Sequence, residues 1–217
     1  HILLDASASM AYRSRGAAVS KLEYAEYVAA AIAHLVVRQQ DAVGLATFNT
    51  SVTKFLRPSS QPAHLKEIVH AMEHTIPAGE TALGPIFHDL AERIRKRGLV
   101  IVLSDLFDDP TGLISGLKHF RHRRHDVSVL QIIDPAEQDF PFEEPTRFRG
   151  LERLEEQTAE PRSLRRAYQR EFEAFLREVR TRCGDLQMDY HLVRTDLPLD
   201  VALRAFLTRR MQHAGRT

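Results

Sequence analysis

The residues of this chain best suited to chemistry lie in Asp5-Ala6-Ser7-Ala8-Ser9-Met10, an Asp-x-Ser-x-Ser run directly after the apolar segment Ile2 to Leu4. Alternate residues of a curved loop share a side, so a turn there points Asp5, Ser7 and Ser9 toward one centre. Three side-chain oxygens of this kind suit a hard cation such as Mg²⁺, which takes about six oxygens at about 2.0–2.1 Å and keeps several waters. Taken alone, a loop with one Asp and two Ser is more often a turn closed by local hydrogen bonds. Two further segments of similar chemistry change that balance: Gly79-Glu80-Thr81 before a helical pattern, and Ser104-Asp105 after an apolar strand. Each has a plain reading of its own, Thr81 as a helix N-cap and Asp105 as a strand-end turn former.

The elements that must position these residues follow from periodicity. Ile2 to Leu4, Leu99 to Leu103 and Val127 to Ile133 are short apolar runs, as strands buried on both faces would be. Ala42 to Phe48 and Val52 to Leu56 read as two strands joined by a tight turn. Helical spacing runs through Ala25 to Val36, Leu65 to Met72, Leu83 to Ile94, Leu113 to Phe120, Leu164 to Val179 and Leu199 to Met211, and Met188 to Val193 supplies a last strand. The expected fold class is α/β, a doubly wound, mostly parallel sheet with helices on both faces. Ligands of such sheets bind beyond the carboxyl ends of the strands, the edge where all three polar loops fall. Residues 134–160, with Phe140, Phe142 and Phe148 among prolines and acids, read as an irregular insertion or short edge strands.

Leu-Asp5-Ala-Ser7-Ala-Ser9-Met, Thr81 and Asp105 together resemble the metal-ion-dependent adhesion site of von Willebrand factor A domains. The resemblance implies Ser7 and Ser9 as direct ligands, Asp5 acting through a water, Thr81 completing the site, and Asp105 holding a coordinated water or the cation. It also implies Mg²⁺ as the metal, with Mn²⁺ or Ca²⁺ as substitutes, and a protein partner that contributes a carboxylate. Lys21-Leu22-Glu23-Tyr24-Ala25, Asp41-Ala42-Val43-Gly44-Leu45, Arg97-Gly98-Leu99-Val100, Ser104 to Asp109 and Arg194 to Asp200 resemble, more narrowly, the bacterial family numbered fifty-eight among domains of unknown function. That likeness implies a Rossmann-like topology, one domain over residues 1–217, work beside a MoxR-type AAA+ ATPase as an adaptor or assembly factor, and a membrane-anchored parent with this domain cytoplasmic. Glu80 departs from the family, which more often has Gly before the Thr.

Composition narrows the alternatives. A chain of 217 residues with 30 basic and 29 acidic side chains has no strong field toward nucleic acid or membrane. The Arg-rich stretch from Pro161 to Arg182 fits the solvated face of an amphipathic helix. One cysteine, Cys183, excludes an internal disulfide and a four-cysteine zinc site, and no apolar run spans a bilayer. Opening directly in an apolar strand, the chain reads as a fragment of a longer protein. A binding module rather than an enzyme is therefore expected. A metal-dependent phosphatase or other hydrolase is the alternative, with Asp5 as phosphoryl acceptor, but Ser7 stands where haloacid-dehalogenase-like phosphatases have a second Asp. Hydrolase-elbow, Walker and dinucleotide motifs are absent. His119, His122 and His125 read as a wet, basic helix end, and His34, His64, His70, His74 and His88 lack a motif that would assemble them.

Overall fold

The computed structural model describes residues 1–143, 146–149, 156–159 and 161–214, with side chains over 1–143 and 164–211. Strands β1 (Ile2–Asp5), β2 (Val43–Phe48), β3 (Val52–Ser59), β4 (Leu99–Ser104), β5 (Asp126–Ile133) and β8 (Asp189–Arg194) form one sheet in the order β3-β2-β1-β4-β5-β8. All neighbours are parallel except β3, which runs antiparallel to β2. The order reverses between β1 and β4, so the crevice of this doubly wound sheet opens beyond Asp5 and Ser104.

Strand alternation divides the core in two. Leu3, Val100, Val102, Val127 and Val129 face one layer, which holds α3 (Leu83–Arg93), α4 (Pro110–His122) and the buried Val179 and Cys183 of α6 (Pro161–Asp185). Ile2, Leu4, Ile101, Leu103, Leu130 and Ile132 face the other layer, made by α1 (Lys21–Arg38), α2 (Pro62–Glu73) and α7 (Leu199–Ala214). Burial on both faces explains why these strands are apolar throughout. Among the described residues, no helix is long and apolar enough to cross a membrane.

Two details go beyond the expected elements. Strand β3 continues past Leu56 to Ser59 despite Pro58, which an edge strand tolerates. Gly44 opposite is required by proximity, since a Cβ there would lie 2.7 Å from the Leu56 carbonyl oxygen. Helices α3 and α4, whose first turns adjoin Thr81 and the loop after Asp105, meet through glycine: a Cβ on Gly84 would lie 2.8 Å from the Gly112 carbonyl oxygen. Close packing here fixes the two loops relative to one another.

The 134–160 stretch opens with a short helix, α5 (Pro135–Asp139), started by a capping box in which Asp134 and Glu137 exchange backbone bonds. It continues with β6 (Thr146–Arg149) and β7 (Glu156–Ala159), paired antiparallel as a separate ribbon instead of edge strands on the main sheet. Residues 144–145, 150–155 and 160 of the expected insertion lie outside the described residues. The Arg-rich α6 carries exposed ion pairs such as Arg177–Glu173 and Arg182–Glu178, in keeping with a solvated face.

Candidate functional site at the strand carboxyl ends

Strand β1 delivers Asp5 to the crevice, and the chain turns at once into a short 3₁₀ turn, Ala8–Ala11. Asp5 is 1% exposed. One of its oxygens accepts from the Ser7 backbone N–H at 2.8 Å, and the other from the Ser104 hydroxyl at 2.5 Å. The Ser104 oxygen also accepts from the Leu106 N–H at 2.9 Å, so a single hydroxyl ties β1 to the loop after β4. The Ser7 and Ser9 hydroxyls lie 3.0 Å apart.

The loop bearing Thr81 is pinned to this turn by its backbone. Ala8 N–H donates to the Gly79 carbonyl at 3.0 Å, and Ala78 N–H to the Ala6 carbonyl at 3.0 Å. Gly79 has φ +77°, a left-handed conformation that favours glycine, and a Cβ there would strike the Thr50 methyl at 2.8 Å. The Thr81 hydroxyl oxygen is buried and has no hydrogen-bond partner. A buried, unpaired hydroxyl costs about 1–3 kcal/mol of desolvation, and such groups call for an explanation. On the far side, the Leu83 N–H donates to Asp108 at 2.5 Å, joining the start of α3 to the β4–α4 loop.

Asp105 is engaged in a way its sequence position does not disclose. One oxygen accepts from Phe107 N–H at 3.2 Å; the other is 2.6 Å from the ammonium of Lys21, the first residue of α1. The Lys21 side chain is wholly buried, bonds Glu137 of α5 at 2.6 Å as well, and lies 4.7 Å from the Phe107 ring centroid. Burial alone would lower the Lys21 pKa, but Asp105 and Glu137 raise it to about 12. Leu106 sits at φ +61°, a left-handed conformation unusual for a branched residue. The Ser104 and Asp105 side chains hold it by accepting from its own N–H and from that of Phe107.

The five residues expected as one site therefore fall on three loops stitched to each other. Asp5, Ser7 and Ser9 share the first. Thr81 stands on the second with its hydroxyl free, and Asp105 on the third with both oxygens engaged. Lys21, Ser104 and Glu137 complete the arrangement and were not singled out as site residues from the sequence. The capping boxes Ser20-x-x-Glu23 and Asp134-x-x-Glu137 were legible there and mark where two of them sit.

The family described as "Protein of unknown function DUF58" matches residues 1–178. The chain belongs to this family. Its fold is von Willebrand factor A-like, shared with the conserved hypothetical protein BatB of Bacteroides thetaiotaomicron at TM-score 0.65 and 18% identity, over 100% of this chain and 98% of that one. An aerotolerance-related membrane protein from Bacteroides fragilis aligns at TM-score 0.57 and 19% identity over 94% and 95%. No curated protein matches. In this DUF58 chain the histidines divide. His125 is buried, accepts from Gly98 N–H and donates to the Ile94 carbonyl, a structural role. His70 and His74 are brought together with Glu73, contrary to their reading as unassembled.

Two outcomes follow. Replacing Lys21 by Met strands Asp105 and Glu137 without their counter-charge, and the expected loss is about 3–5 kcal/mol in urea unfolding; an unchanged midpoint would show the network to be dispensable. Burial first, and Asp105 second, push the Asp5 carboxyl up to about 7 from 3.8. A raised folded-state pKa gives stability that is full below the unfolded value and lost as pH rises through the folded one. In metal-free buffer, melting temperature should therefore decline between pH 5 and pH 8, and Asp5→Asn, which mimics the protonated acid, should flatten that decline.

Proposed function

We propose that this chain is a divalent-cation-dependent protein-binding module, not an enzyme. Ser7, Ser9 and Thr81 would hold Mg²⁺ through their hydroxyls, Asp5 would act through a water, and Asp105, occupied by Lys21, would contribute from the outer sphere. Mn²⁺ and Ca²⁺ are the natural substitutes for such an all-oxygen donor set. The observation that carries the reading is the buried Thr81 hydroxyl, left without a partner in a loop bonded to the Ser7–Ser9 turn. A cation there would give that oxygen the partner it lacks.

The same features favour a partner that brings a carboxylate. Lys21 offsets the charge of Asp105, so the site's own anionic charge falls short of what a dication attracts, and a carboxylate from outside would supply the remainder. Ile76, 79% exposed in the loop leading to Thr81, offers apolar area to a protein surface. The non-catalytic reading is supported by Asp5 itself: a buried carboxylate with both oxygens hydrogen-bonded is poorly placed to attack phosphorus. From the family resemblance, the partner would be a MoxR-type AAA+ ATPase or its client, with this chain as adaptor or assembly factor. The likeness to a Bacteroides fragilis membrane protein fits a parent anchored in a membrane, and the family resemblance would place this domain on the cytoplasmic side.

Thr81→Val separates a ligand from a structural hydroxyl. Removing an unpaired buried hydroxyl should leave the metal-free melting temperature unchanged or slightly raised, while Mg²⁺ and Mn²⁺ binding in calorimetry falls at least about ten-fold. Equal metal binding by both proteins, or none by wild type at millimolar metal, would contradict the proposal.

A further inference from the structure

The last turn of α2 and its C-cap His74 carry His70-Ala71-Met72-Glu73-His74, with His70, Glu73 and His74 exposed and close together. Spacings of three and four residues make helical neighbours, and here the ligand atoms of all three lie within 4.8 Å of one another. The two imidazole rings are 4.1 Å apart between centroids. His74 Nδ1 is 2.8 Å from the His70 carbonyl oxygen, which can only accept, so Nδ1 donates and, in the neutral ring, Nε2 is the nitrogen with the lone pair. A ring nitrogen held by a backbone carbonyl, leaving the other to bind, is the usual support of a metal-bound histidine.

We propose that His70, Glu73 and His74 form a second cation site, selective for Zn²⁺ and similar imidazole-binding transition metals. Two imidazoles and a carboxylate suit Zn²⁺, Ni²⁺ or Cu²⁺ and do not suit Mg²⁺. The helix C-terminus adds to this, since the negative end of the helix dipole stabilises a cation in the final turn. All three side chains are exposed, so the metal would retain water in its remaining positions and bind reversibly. The chain leaves this turn through Thr75, whose hydroxyl donates to the Ala71 carbonyl, and runs on to Thr81. A metal clamped across His70 and His74 would therefore stiffen the root of the loop that carries Thr81. This site owes nothing to the hydroxyl–carboxylate centre and stands or falls apart from it.

The test is Zn²⁺ calorimetry on the full chain in buffer holding millimolar Mg²⁺. One saturable Zn²⁺ event is expected, weakened at least about ten-fold by His70→Ala and by His74→Ala and unchanged by Ser7→Ala. Circular dichroism should show the exposed histidine variants folded as wild type. His88 and His119, whose rings lie 4.3 Å apart on α3 and α4, provide the control. No saturable Zn²⁺ binding would overturn the proposal. So would binding indifferent to both histidine variants, or binding lost in His88→Ala or in Ser7→Ala.

Discussion

A buried ammonium between two carboxylates is the constraint around which the rest of this crevice is arranged. Removing Lys21 from water carries a penalty of several kcal/mol, offset here by bonds of 2.6 Å to Asp105 and to Glu137. Those bonds join the start of α1, the loop after β4 and the helix after β5. Ser104 brings in β1 through Asp5, and Asp108 brings in the start of α3 through Leu83. The loops after β1 and β4, the helix after β5 and the start of α3 are thereby linked around one charge.

That arrangement governs what the crevice can bind. An adhesion-type site with free carboxylates would attract a dication by charge alone. Here the Asp105 charge is answered by Lys21, and burial and Asp105 together push the Asp5 carboxyl up to about 7. Hydroxyl oxygens then carry most of the remaining donor capacity. If the site is the cation centre proposed above, weak metal affinity that strengthens when a carboxylate arrives is the physical consequence, and it would couple cation and partner in one event. Reciprocal coupling of this kind is a property of linked equilibria.

Much of this was readable from the chain itself. Strands buried on both faces leave continuous apolar runs, and the polar residue that ends each run marks the carboxyl edge of the sheet, so the place of Asp5 and Asp105 at that edge was legible. Periodicity alone makes Thr81 a residue before a helix, and only the family resemblance puts it with Asp5, Ser7 and Ser9; its lack of a partner is a property of packing. Lys21 was not legible, because a lysine in the first turn of a helix ordinarily points to water, and its partners lie 84 and 116 residues away. Helix α5 was hidden by its length of 5 residues, too short for periodicity to register, although its capping box was in plain view. His70, Glu73 and His74 have neighbouring spacing on a helix, but spacing alone does not show convergence; the turn at the end of α2 brings their ligand atoms together.

The most direct measurement is anomalous diffraction from crystals of the chain grown with Mn²⁺. The account predicts a peak bounded by the Ser7, Ser9 and Thr81 hydroxyl oxygens, with the Lys21 ammonium still on Asp105. Crystals at millimolar Mn²⁺ with no peak there, or with Lys21 Nζ lying among those hydroxyls instead, would contradict it.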